Sequence, residues 1–365
     1  MIEVLHNIFW FIAVISVLVF VHEFGHYWVA KKLGVKIESF SIGMGKELFG
    51  WNDKAGTRWK LSLLPIGGYV KMYGDENAAS VPDSESKFSA AEKKMAFQFQ
   101  PLLNRTAIVF AGPLINFILA ILFLTFLFTA FGKPTSKPIV KEVQASSPAE
   151  QAGIVAGDVI LKLNNHNIKE FKDIVGVVNL FPNQTMQIVF NRNGEIITSL
   201  IKPVMVESND AFGKKSMIAK IGIVSEPTYR LQMNVFSALT ASIAECYDLS
   251  IKTLTALWQI VTFSRSADQI SGVLRIADYS GKSAEMGMAT LIWFMAVLSL
   301  NLALVNLFPI PGLDGGHLFL YLIEFIKGKP INEKYLNYVF KAGFSFLIFL
   351  MLLATFNDLK YFQIL

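Results

Sequence analysis

Residues 8–36 read IFWFIAVISVLVFVHEFGHYWVAKKLGVK. The apolar run in this stretch, from about Ile8 to Ala30, is long enough as a helix to cross a hydrocarbon core of ~30 Å, which takes about 20 residues at 1.5 Å each. Lys31, Lys32 and Lys36 follow it directly. Only Glu3 and His6 are charged or titratable ahead of it, so it lacks the basic start of a secretory signal, and it is too long for one. Three more runs of this kind follow, at 106–131, roughly 288–311 and about 338–356. Composition agrees: 53% of the 365 residues are hydrophobic and 17% charged, against about 45–50% and about 25% in soluble domains. With a mean hydropathy of +0.45, the chain reads as a polytopic α-helical membrane protein of about four transmembrane helices. Disordered and collagen-like classes are excluded. A net charge of +5, spread along the chain, predicts no nucleic-acid partner. The single cysteine, Cys246, excludes an internal disulfide framework and a cysteine-rich metal site.

Lysines after the first run and Arg105 before the second place the loop between them in the cytoplasm, because basic residues near span ends set orientation. The N-terminus then lies outside, 132–287 outside, 312–337 inside and the C-terminus outside. Residues 235–263 need arbitration. Glu245, Asp248, Lys252 and Gln259 share one helical face, opposite Ile243, Tyr247, Ile251, Leu254, Trp258 and Val261. That pattern predicts a helix lying on the membrane surface rather than crossing it.

The stretch 36–73 changes period. Trp59, Leu61 and Leu63 alternate with Arg58, Lys60 and Ser62, and glycines punctuate it, so short strands and hairpins are expected on the cytoplasmic side. Residues 74–94 are polar and read as a loop. From 133 to 226 the signals are those of strands with two short helices. Ser147 or Ser146 caps a helix that has Pro148 in its first turn, and Asn193-Gly194 marks a hairpin. The pattern SPAEQAGIVAGDVILKLN, at 147–164, resembles a PDZ domain of the bacterial periplasmic-protease kind. Such domains bind extended peptides, often C-termini, by strand addition. A rigid spacer that restricts access is the plainer reading.

The chemistry sits inside the first run. In His22-Glu23-Phe24-Gly25-His26 the two imidazoles, four residues apart, face one way on a helix and can reach one Zn2+, with Glu23 beside the open position. A carboxylate in mid-span costs about 2.5–3.5 kcal/mol on insertion scales, so such groups are rarely idle. His22 lies about 21 Å along the helix from Ile8, and His26 about 7 Å short of Lys31, which sets the metal one to two turns below the cytoplasmic surface. A catalytic zinc needs three protein ligands and an open position. The third is expected in Asn306-Leu-Phe-Pro-Ile-Pro-Gly-Leu-Asp314-Gly-Gly-His317, where Pro309 and Pro311 break the helix. If 235–263 does not cross, the first and third spans run the same way, and His26 and Asp314 end on the same side. Asp314 and His317 both satisfy the chemistry. His6 and His166 read as surface histidines, and Cys246 as an apolar filler.

HEFGH in the first span, NLFPIPGLDGGH closing a later one and a PDZ-like stretch between them resemble the site-2 protease family of intramembrane zinc metalloproteases, in its bacterial RseP-type branch. LLPIGGYVKM and FAGPLINFILAI extend the likeness over almost the whole chain. The resemblance implies one zinc per chain held by His22, His26 and Asp314, with Glu23 as catalytic acid–base. It also implies that Asn301, Asn306, Pro309 and Pro311 line the substrate cleft, with Asn116 near the active site. Interhelical hydrogen bonding is the plainer role for Asn301 and Asn306. A helical peptide bond must unwind before it is cut, and strands carrying Gly43, Gly45, Gly67 and Gly68 could pair with the freed backbone; ordinary hairpin turns explain those glycines equally well. The implied substrates are single-span membrane proteins such as anti-sigma-factor-like proteins or signal-peptide remnants. The implied location is the bacterial inner membrane, with the PDZ domain periplasmic and filtering trimmed ectodomains.

The organisation expected is a first transmembrane helix with HExxH (1–31), then a cytoplasmic-side membrane-associated β-region with a polar loop (32–104). A second transmembrane helix (105–132), a PDZ domain of α+β type (133–226) and an amphipathic interfacial region (227–286) follow. A third transmembrane helix with the LDG metal motif (287–317) precedes a cytoplasmic loop, fourth helix and short tail (318–365). One PDZ domain, where well-known members of the branch have two, and Gly272-Val273-Leu274, where members often show Gly-Pro-Ile, are departures. A catalytically inactive membrane-anchored PDZ scaffold is the alternative; a metal-ion transporter and a structural-zinc protein fit less well.

Overall fold

The structure, a computed structural model, describes residues 2–74, 88–209, 215–262, 264, 266, 270–329 and 331–364. The chain divides into two compact units, Met1–Leu124 with Ser266–Leu365, and Thr125–Arg265.

The first unit holds α1 (Ile2–Lys32), β1 (Ile37–Asn52), β2 (Arg58–Met72), α2 (Ala90–Lys93) and most of α3 (Leu102–Phe131). It resumes with α7 (Val273–Glu285), α8 (Met288–Asn306), α9 (Asp314–Lys327) and α10 (Glu333–Tyr361). Among the described residues, α1, α3, α8 and the part of α10 from Tyr338 to Tyr361 are long and apolar enough to cross a membrane. Gly25 sets the approach of α1 to α3: a Cβ there would lie 2.6 Å from the Ala111 carbonyl oxygen and 2.8 Å from Ile115 Cγ2. Val14 and Leu18 of α1 pack with Leu291 and Phe294 of α8, and Leu119 and Phe123 of α3 close the cluster.

Over 36–73, where short strands and hairpins are expected, the chain forms one long antiparallel hairpin, irregular in register between Ile37 and Phe49. Phe40 and Val70 pin it against Tyr27, Ile108 and Val109. Asp53 closes the turn by accepting from the Ala55 and Thr57 amides and from the Tyr27 hydroxyl. Burial works against that carboxylate, but these donors hold it down at about 2. The half of the hairpin nearer its turn leaves Leu48, Phe49, Trp51, Leu61, Leu63 and Leu64 exposed.

Three expectations are corrected. The polar loop at 74–94 falls mostly outside the described residues, but Ser89 begins a capping box for the one-turn α2. The LDG motif does not close the third long helix; α8 stops at Asn306 and Asp314 opens a new helix. Consequently 318–327, expected as loop, is helical. The physical reason is the DGG step. A Cβ at Gly315 would lie 2.3 Å from Leu307 and Phe308 carbonyl oxygens, and one at Gly316 2.4 Å from that of Ile310. Only glycines let the proline turn fold back onto the start of α9.

The second unit carries the end of α3, then β3 (Lys133–Thr135), β4 (Val140–Val143), α4 (Pro148–Gln151), β5 (Val159–Leu163), β6 (His166–Asn167) and α5 (Phe171–Leu180). It continues with β7 (Met186–Arg192), β8 (Glu195–Ile201), β9 (Val204–Asn209), β10 (Lys215–Lys220), β11 (Ile223–Ser225), β12 (Tyr229–Leu231) and α6 (Val235–Val261). A four-stranded sheet in the order β6-β5-β7-β8 packs under Ile174, Val177 and Val178 of α5. Ser147 caps α4 by accepting from the Glu150 amide. Asn193 and Gly194, with φ of 51° and 98°, turn β7 into β8. Helix α6 lies along α5: Glu245 pairs with Lys172, Lys252 packs on Gly176 and Gln259 donates to the Leu180 carbonyl. Its apolar face, including Tyr247 and Trp258, is left exposed.

Candidate metal centre

Helix α1 presents His22 and His26 on its buried face. Their Nε2 atoms are 3.3 Å apart. Asp314, in the first turn of α9, reaches both: Oδ2 lies 3.2 Å from His22 Nε2 and Oδ1 3.5 Å from His26 Nε2. Either imidazole Nε2 can carry a proton or offer a lone pair, depending on its tautomer. Asp314 Oδ2, though close to His22, is buried with no hydrogen-bond partner among the described residues. A cation at their centre would accept a lone pair from each of the three side chains. Four ligands at about 2.0–2.1 Å in a tetrahedron would stand about 3.3 Å apart, the spacing these atoms have. The residues therefore fit a zinc ion, and the group His22, His26 and Asp314 is a candidate metal site by geometry alone.

Supporting contacts come from α3. Ile108 offers its carbonyl oxygen to His26 Nδ1 at 2.9 Å, and the Asn116 carboxamide lies 3.3 Å from His22 Nδ1. Between them Gly112 has no side chain to give: a Cβ there would sit 2.2 Å from His26 Nε2 and 2.9 Å from His22 Cε1. Helix α9 is tied to α3 by a bidentate Arg105–Glu324 pair with distances of 3.2 and 2.6 Å.

A cavity of about 350 Å3 opens at the site. His22, Glu23, His26, Asp314, Gly67, Gly68, Asn306 and His317 all line it. Glu23 faces the cavity together with Val70 of β2. Gly68 makes this possible, since a Cβ there would stand 3.2 Å from Glu23 Cγ. His317, the rival ligand, packs its ring on Phe340 and is not among the converging atoms. Of the other expected cleft residues, Asn301, Pro309, Pro311, Gly43 and Gly45 are not among those lining the cavity, and Asn116 sits behind His22. Gly43 has a structural reason, a Cβ clash at 2.6 Å with the Leu64 carbonyl oxygen. Reasoning from the sequence missed Gly112 and Ile108; the Gly-Pro step inside an apolar run was the available signal.

The fold and site define a multi-span membrane protein with a buried two-histidine, one-carboxylate centre. Residues 10–350 match peptidase family M50. A protein of Agrobacterium fabrum named as a candidate zinc metalloprotease is 39% identical over 356 residues, 96% of this chain and 94% of its own. The metalloprotease MmpA of Caulobacter vibrioides is 37% identical over 378 residues, with coverage of 96% and 94%. A solved PDZ domain of an SdrC-like protein from Listeria monocytogenes overlaps 24% of this chain and 84% of its own, at 20% identity and a TM-score of 0.20; that score is too low to bear on the fold. The chain belongs to peptidase family M50, the site-2 proteases, and is a zinc-using metalloendopeptidase.

Proposed function

We propose that the chain hydrolyses peptide bonds within the transmembrane segments of single-span membrane proteins, using one zinc held by His22, His26 and Asp314. The observation that carries this reading is the convergence of three lone-pair atoms beside Glu23, on helices apolar enough to lie within a bilayer. When bound, zinc supplies Lewis acidity and makes a water nucleophilic near neutral pH. Glu23 is the base that takes the proton from that water as it attacks the scissile carbonyl, and it returns the proton to the leaving amine. The close seat at Gly68 lets the Glu23 side chain stand against the hairpin beside the cavity.

A substrate helix must first unwind, and its released backbone groups need partners in an apolar setting. The hairpin at Gly67 and Gly68 borders the cavity and can offer a strand edge to them, while Asn306 can hold a freed carbonyl or amide from the other side. The charge pattern supports a cytoplasmic hairpin with 133–226 on the opposite, periplasmic side, and the bacterial relatives suit an inner-membrane location. Those residues, with a capped helix, a sheet and a helix over it, support a PDZ domain that binds or excludes trimmed ectodomains. Anti-sigma-factor-like proteins and signal-peptide remnants are the substrate classes this arrangement suits. The exposed apolar face of α6 supports a helix lying on the bilayer.

The test is Glu23→Gln in the full chain, reconstituted with a labelled single-span substrate. Cleavage should fall to background while bound zinc stays near one per chain. Cleavage at the wild-type rate would remove the basis for the mechanism.

A further inference from the structure

Both zinc-facing imidazoles use Nε2, since those are the atoms within 3.2–3.5 Å of Asp314. An imidazole that gives its Nε2 lone pair to a metal carries its proton on Nδ1. At His26 that proton has an acceptor, the Ile108 carbonyl oxygen at 2.9 Å. At His22 the group facing Nδ1 is the Asn116 carboxamide, 3.3 Å away and fully buried. The atom placed there is Nδ2, a donor, while Asn116 Oδ1 is buried with no partner among the described residues. A donor cannot face a donor. Exchange of the carboxamide oxygen and nitrogen, which have the same shape, turns Oδ1 to the His22 proton.

We infer that Asn116 is a positioning residue for the metal centre: its carboxamide oxygen accepts from His22 Nδ1 and so fixes the tautomer and ring orientation of that ligand. This rests on the zinc reading above and gives Asn116 a role away from the substrate. The neighbourhood is built for it. Ile108, Gly112 and Asn116 recur every four residues along one face of α3, so acceptor, gap and acceptor lie in a row beneath the two rings. The Asn116 backbone is itself anchored, its carbonyl accepting from the buried Ser299 hydroxyl of α8 at 2.8 Å. The two ligands of α1 are thus oriented from one helix, one by a main-chain oxygen and the other by a side chain. Only the second can be altered by substitution.

The experiment measures zinc affinity of the purified full chain by competition with a chromophoric chelator. Asn116→Leu, similar in volume and without an acceptor, should bind zinc about 10–100-fold more weakly. Asn116→Asp, which keeps an oxygen at the same place, should bind as tightly as wild type or more tightly. Should the leucine variant not fold, Asn116→Ala replaces it in the comparison. Wild-type affinity in the variant lacking the acceptor overturns the inference. So does equal weakening in the leucine and aspartate variants, which would mark a packing role. His26→Ala separates the two levels: if it too binds zinc like wild type, it is the metal site that has been misassigned.

Discussion

Gly112 lies in mid-helix, where glycine costs about 1 kcal/mol relative to alanine, yet the space above it belongs to two imidazoles. Gly112→Ala would put a methyl group 2.2 Å from His26 Nε2, on a helix that cannot yield. Zinc content and cleavage should both be lost, with the protein still inserted in membranes; a fully metallated, active variant would contradict the packing described. A different residue-level case is Asp158, fully buried beneath β7. Burial opposes its charge, but Arg192 and the Val155 amide hold the carboxyl below the usual carboxylate range. A depressed folded value means the stabilisation is complete above the unfolded value, about 3.9, and is lost as pH falls through the folded value. The Thr125–Arg265 unit should therefore weaken as the medium is acidified below pH 4. Asp158→Asn should cost about 1–3 kcal/mol at pH 7 and flatten that acid limb. Parallel unfolding-midpoint curves for the two proteins would rule the pairing out.

At the level of elements, the position of α9 decides whether Asp314 meets the histidines. Its link to α3 is the Arg105–Glu324 pair, 15% and 14% exposed, with the guanidinium also stacked over Tyr321. Removing one partner of a largely buried pair leaves the other uncompensated, at about 3–5 kcal/mol. Glu324→Leu should lower the unfolding midpoint and weaken zinc binding. Adding Arg105→Met should recover much of the stability, because an apolar pair in the same space is often nearly neutral; no recovery would show that the pair does not bridge the helices. Helix α6 makes a separate case. Its polar residues Glu245, Lys252 and Gln259 turn to α5, which leaves Tyr247 and Trp258 exposed. Brominated acyl chains should quench the emission difference between wild type and Trp258→Phe. Full emission in those lipids would place α6 away from the bilayer.

For the whole molecule, orientation is the open quantity that chemistry can read. With Cys246 replaced, single cysteines at exposed Lys54, in the hairpin turn, and at exposed Lys141, in β4, should react with an impermeant thiol reagent from opposite sides of the membrane. Labelling of both from one side would require another crossing and would overturn the inside–outside assignment. Much of this organisation was legible in the chain. Long apolar runs must be helices in lipid, where every backbone group has to be satisfied within its own segment, and HExxH declares its geometry through the helical repeat alone. The two-residue turn at Asn193-Gly194 was equally plain, because few residues adopt positive φ cheaply.

Local rules did not reach the rest. In the sequence, Asp314 reads as closing the third apolar run, since two prolines mark a break without telling where the chain turns next. The choice between Asp314 and His317 could not be made from spacing, because either side chain completes the chemistry; it depends on which of them α9 points at α1, and that is set by the fold-back at Gly315 and Gly316. Gly112 and Ile108 are silent for the same reason, being neither ligands nor helix signals, and Asn116 is placed near the active site by the resemblance alone, with no hint that it faces His22. The sequence by itself determined the four long apolar helices and set His22, Glu23 and His26 on the first of them, which follows from periodicity and from the cost of charge in hydrocarbon. Only the tertiary structure decided that Asp314 meets both imidazoles and which atoms stand behind the rings, because contacts between residues some 80 to 290 positions apart are properties of packing and leave no local pattern.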